Sequence, residues 1–168
     1  MNTQPIAQTL GALLRELLDG PSKQGGYILN PGDQGLLRSL EKVSAADASA
    51  CTPTGSSIAA HVDHVRYGFS LMNRWSHGEN PFGDADWRES WRKTVVSDAE
   101  WRQRIGELRA EATRWLGIVS QPREVNEIEL SGMIGSVAHL AYHLGAIRQI
   151  NQLARGPVES NVEVKSEK

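Results

Sequence analysis

The chain has 168 residues, 39% hydrophobic and 23% charged, enough for one compact domain with its own core and too few for two average ones. Its 18 basic and 20 acidic residues leave a net charge of −2, which argues against a nucleic-acid binder. A single cysteine, Cys51, excludes an intrachain disulfide, and no apolar run reaches the roughly 18 residues that a membrane span needs. With no signal peptide at the start, these features fit a protein of the reducing cytoplasm.

The first predicted element is a helix over residues 4–19, where Ile6, Leu10, Leu13, Leu14, Leu17 and Leu18 form one stripe and Gly20-Pro21 stops it. Residues 22–36, rich in Gly, Asn and Pro, read mainly as a loop. A short helix over about residues 33–43 carries Leu36, Leu37 and Leu40, and residues 44–56 read as a second loop. The second long helix begins after a cap at Ser56 or Ser57 and runs to Ser76, with Gly78 suited to the left-handed position beyond its end. Residues 79–96 form a crossover carrying Trp87 and Trp91. Ser97 to Glu100 is a capping box, and Trp101, Ile105, Leu108, Ala112 and Trp115 then follow the 4-3-4-3 spacing of a packed seam. The last long helix is expected over residues 131–153, closed by Gly156-Pro157. Four long amphipathic helices and no convincing strand predict an all-α fold, a four-helix bundle with long crossover connections. It would occupy residues 1–157, with a charged, disordered and dispensable tail at 158–168.

The chemistry-bearing residues are histidines. His139 and His143 stand i,i+4 on a helix face shared with Gly132, Gly135, Ser136, Ala146 and Ile150, so the face looks inward. His64 shares a stripe with Ser57, Ala60, Gly68, Leu71 and Trp75 and also points into the bundle. Three buried neutral imidazoles with a fourth position open are the pattern of a catalytic-type metal site. The plainer alternative is that each bonds a backbone carbonyl or a buried hydroxyl. His61, three residues before His64, is either a fourth ligand that closes the site or a residue at its rim. His77 lies at a helix C-terminus, where an imidazolium complements the dipole.

These motifs resemble the DinB-like, or damage-inducible, family of small bacterial metal-binding bundles. The segment from Ser57 to His64 has a histidine seven residues after a serine near the helix start, and His139 to Gln149 has an H-x-x-x-H followed by G-x-I-x-Q. The resemblance implies His64, His139 and His143 as ligands of one divalent ion, zinc or nickel. It also implies a thiol S-transferase or hydrolase acting on a small molecule, with a low-molecular-weight thiol as possible co-substrate. The extra His61 and the Gly/Pro-rich insert at 22–36 depart from the family pattern. A second reading is a non-catalytic, stress-related dimeric bundle whose metal is structural or adventitious.

Other chemistries are excluded. No Glu stands three residues before any of the four helix histidines, so the di-iron carboxylate motif is absent. Leu140 follows His139, which removes an H-E-x-x-H protease, and there is no G-x-G-x-x-G, Walker loop or G-x-S-x-G. Cys51 has no nearby base and reads as a spare residue. Trp75, Trp101 and Trp115 read as packing, whereas Trp87 and Trp91 are placed to cover one end of the bundle and line a pocket mouth. Arg148 points away from the ligand stripe, toward a salt bridge or an interface. No general acid or base is assigned, although Glu127 and Glu129 are candidates to support the ligands by position. Ile134, Val137, Ala141 and Leu144 lie opposite the histidines, so the last helix is apolar nearly all round, which predicts a homodimer.

Overall fold

A computed structural model describes residues 3–53, 55–151 and 154. Among these the protein is predominantly helical, with one isolated bridge between Ser22 and Gly25 and no strand. Its α-helices are α1 (Gln4–Asp19), α2 (Gly35–Leu40), α3 (Ala45–Ser49), α4 (Ile58–Ser76), α5 (Asp98–Val119) and α6 (Glu127–Ile150), with a 3-10 turn at Glu89–Trp91. Among the described residues no helix is long and apolar enough to cross a membrane. The expected tail at 158–168 lies outside the described residues.

Each helix end has a local cause. Pro5 sits in the first turn of α1, where its missing N–H is no loss. Gly20 ends α1 at φ 101°, and its amide donates to the Glu16 carbonyl. Gly35 opens α2 at φ 67°, and a Cβ there would fall on the backbone of Asp19 and Gly20, so only glycine allows α2 to start against the end of α1. The Ser57 hydroxyl accepts from the Ala60 amide and donates to the Thr94 carbonyl at 2.7 Å, joining the start of α4 to the crossover. Ser97 and Glu100 form the expected capping box of α5.

Two expectations are corrected. Residues 44–56 are not all loop, because the Ser44 hydroxyl accepts from the Asp47 amide and nucleates α3. The last helix starts at Glu127 rather than 131, because Asn126 and Glu129 make a second capping box. It ends at Ile150, before residue 153, where Asn151 turns extended.

The long helices pack in neighbouring pairs, with α1 and α4 each lying against both α5 and α6. Leu14, Leu17, Leu36, Leu108, Leu140 and Ile147 are fully buried between them, and each such side chain contributes on the order of 1.5–3 kcal/mol. Buried tryptophans satisfy their indole N–H groups: Trp101 donates to the Val43 carbonyl at 2.8 Å and Trp115 to the Ser136 hydroxyl at 2.9 Å. Trp75, by contrast, is only half-buried.

Buried polar groups set the register. Asp63 of α4 meets Arg104 of α5 at 2.6 Å and Arg66 at 2.9 Å. Arg148 of α6 grips both oxygens of the buried Asp33 carboxylate, at 2.6 and 2.8 Å, which is the salt bridge expected of it. Glu16 accepts the amides of Tyr27, Ile28 and Leu29, fastening the glycine-rich loop to α1. Burial alone would raise the Glu16 pKa, but the three amide bonds outweigh it and hold the carboxyl below its ordinary value.

Val137 and Leu144, two of the residues expected to need a partner subunit, are buried within the chain. Here α1 lies along α6, and of the four residues on which the dimer was argued only Ile134 is exposed, at 51%.

Candidate metal centre

Helices α4 and α6 carry the histidines to one another. The ring nitrogen Nε2 of His139 lies 3.1 Å from Nε2 of His64 and 3.0 Å from Nε2 of His143. One potential ligand atom from each of the three rings lies within 4.8 Å of the other two. His64 and His143 are buried and His139 is half-buried. Three metal–nitrogen bonds of about 2.0–2.1 Å in a tetrahedron would separate the nitrogens by about 3.3 Å. The two spacings to His139 fall short of that value by no more than about 0.3 Å, which suits a divalent ion.

The far nitrogens of two rings are engaged. Ser90 donates its only hydroxyl hydrogen to the Trp87 carbonyl at 2.7 Å, so at 2.8 Å from His64 Nδ1 it must accept. His64 thus carries its proton on Nδ1 and presents a bare Nε2 lone pair to the cluster. His143 Nδ1 lies 2.9 Å from His61 Nδ1. His61 consequently stands behind His143, on the ring nitrogen opposite the cluster, and is not a fourth member of it. For His143 to offer Nε2 as a ligand, its Nδ1–H must donate to His61, an arrangement that fixes the tautomers of both rings.

The crossover supplies the roof. Trp91 stacks on His64, with centroids 4.4 Å apart and planes at 26°, and meets His61 edge-on. Trp87 leans on His64 at 5.4 Å. The segment is fastened by Asp86, whose carboxylate accepts the amides of Arg88 and Glu89 and whose own amide donates to the Tyr67 hydroxyl.

Other candidates fall outside the cluster. His77 caps α4 and lies 2.7 Å from the Asn73 carbonyl through Nδ1. Cys51 is exposed, with its thiol 3.8 Å from the Ser49 carbonyl. Glu129 is used by the α6 cap and by Arg123 at 2.7 Å. It stands ten residues before His139, about 15 Å along the helix. Glu127 is exposed on the first turn of α6, so neither acid supports the ligands as their position had suggested. Ser90 takes that place, and no spacing within one helix could have revealed it.

Burial pushes all four imidazoles below their ordinary pKa: His64 to about 4 and His143 to about 3, with neighbouring histidines adding to the shift. A folded pKa below the unfolded one favours the metal-free fold above pH 6.5 and disfavours it progressively as pH falls toward 4. Proton competition with a metal is also displaced below the pH of about 6.5 expected of free imidazoles. Between pH 7.5 and 5.5, three ordinary imidazoles would lose about a thousandfold in affinity. Chelator competition on the folded protein should show a loss within about tenfold, and a thousandfold loss would contradict the shifts.

Comparison of the chain with family models, curated proteins and solved structures finds no match.

Proposed function

We propose that this protein is a metal-dependent enzyme of the DinB-like type, folded as a four-helix bundle with long crossovers. It would act as a thiol S-transferase or a hydrolase on a small molecule. The observation that supports this reading best is the convergence of three Nε2 atoms from His64, His139 and His143, one of them with its lone pair bared by Ser90. The donor set suits zinc or nickel. A divalent ion bound there supplies Lewis acidity, which lowers the pKa of a coordinated water or thiol. The chain's own residues do the positioning: Ser90 orients His64, His61 orients His143, and Trp91 shields the histidines from solvent.

A structural, closed site would require a fourth imidazole. His61 is placed against the back of His143, which favours three protein ligands and an open position. The net charge of −2 gives no support to a nucleic-acid partner, and we place the protein in the cytoplasm. The test is metal analysis of untagged protein, followed by assays of thiol transfer to small electrophiles. Bound metal with thiol-dependent turnover supports the proposal, whereas protein that refuses zinc and nickel overturns it.

A homodimer forms part of the same proposal. Ile128 and Ile134 of α6 are exposed, and Ile134 borders an open apolar groove with Ile6, Leu10 and Leu130. Light scattering at micromolar concentration should give twice the chain mass, and an 18.5 kDa particle would refute the dimer.

A further inference from the structure

Beside His139, along the seam between α4 and α6, lies an open-sided cavity of about 240 Å³. Its walls are almost wholly apolar: Val65, Phe69 and Met72 from α4, Phe82 and Trp87 from the crossover, and α6 on the far side. No lysine, arginine, aspartate or glutamate lines it. His139 and Trp87 belong both to this wall and to the histidine cluster.

The space is made by missing side chains. Gly68 follows His64 by one helical turn, and Gly135 precedes His139 by one turn, so each glycine shares a face with a histidine of the cluster. A Cβ at Gly68 would come within 3.4 Å of the His139 ring and 4.0 Å of Trp87. A Cβ at Gly135 would meet nothing within 4 Å, although the residue borders the cavity. Glycine inside a helix is intrinsically unfavourable relative to alanine. Neither the backbone nor packing demands it at 135, since Gly135 has no positive φ. What it leaves is room.

We propose that this cavity binds an uncharged aromatic or branched aliphatic group of the substrate, whose reacting head lies at the three histidines. A cavity on the order of 150 Å³ accepts a benzene ring, so this one takes a ring with a short substituent. An anionic or cationic group would find no counter-charge in the lining. The inference deepens the metal-enzyme reading in its placement of the head group, whereas the apolar site itself does not depend on a metal.

The test therefore has two arms, both on the full chain and on Gly135→Leu, which adds a branched side chain at an exposed helix position bordering the cavity. In the first, toluene binding to metal-free protein is followed by ligand-detected NMR. Wild type should bind toluene, and Gly135→Leu should weaken it at least about tenfold. In the second, cobalt-loaded protein is titrated with 2-mercaptoethanol and with phenylmethanethiol, thiols of similar acidity, and the thiolate–cobalt charge-transfer band is read. Phenylmethanethiol should bind at least about tenfold tighter to wild type, and Gly135→Leu should erase that preference while leaving 2-mercaptoethanol unchanged. No toluene binding by wild type, equal binding by the two proteins, or no preference between the thiols would overturn the proposal. Failure to take up cobalt would count against the metal reading alone, because the toluene arm still decides the cavity.

Discussion

Alanine at His64, His139 or His143 is expected to take bound zinc from about one equivalent per chain to none at micromolar concentration. Each of these rings places a nitrogen in the cluster, with His139 Nε2 within 3.1 Å of both others, and loss of one leaves two donors where a tight site needs at least three. His61→Ala should behave differently. It removes the group behind His143 Nδ1 and no member of the cluster, so about one equivalent should remain while affinity falls about 10–100-fold. His61→Asn, whose carbonyl can accept the same proton, should recover part of that loss. His77→Ala should change nothing, because that ring caps α4. Metal analysis after gel filtration, with chelator competition for the affinities, reads all six variants. Loss of the ion in His61→Ala with retention in His64→Ala would mean that α4 contributes the other histidine.

The second large effect is on stability. Asp63 lies between His61 and His64 in sequence, but its carboxylate binds Arg104 of α5 at 2.6 Å, and both side chains are about 10% exposed. Asp63→Ala leaves the Arg104 guanidinium buried without its counter-charge, a loss of about 3–5 kcal/mol. For a chain of this size that lowers the melting temperature by about 6–20 °C. Replacing both partners, as in Asp63→Leu with Arg104→Met, should restore much of the stability, because the penalty lies in the orphaned charge. Thermal unfolding followed by circular dichroism checks the pair. A shift of Asp63→Ala below about 2 °C would show that water meets the need of Arg104.

Much of this was legible in the sequence because it is periodic. The i,i+4 step puts His139 and His143 on one face whatever the surrounding fold, and the stripe through Ser57, Gly68 and Leu71 aims His64 inward. The Ser97 capping box marks the start of α5 from four adjacent residues. Short and long-range features were harder to see. Helix α3 spans five residues, too few for a period, and only the Ser44–Asp47 cap signals it. The true start of α6 is signalled only by Asn126 with Glu129 three residues on, a capping box that lies ahead of the apolar stripe. Ser90 reaches His64 across 26 residues of chain, and His61 reaches His143 across 82. Such contacts follow from how α4, α6 and the crossover pack, and no local pattern encodes them. The apolar girth of α6 calls for cover on several sides. Much of that cover comes from α1 of the same chain, which sequence periodicity cannot distinguish from a second copy.

The most direct test of the central claim is X-ray absorption at the zinc edge of the zinc-loaded full chain. The account predicts three imidazole nitrogens at about 2.0–2.1 Å and one further light-atom ligand from solvent. Addition of a thiol should replace that ligand with sulfur at about 2.3 Å. Four imidazoles around the ion, or a zinc shell without imidazole scattering, would contradict it.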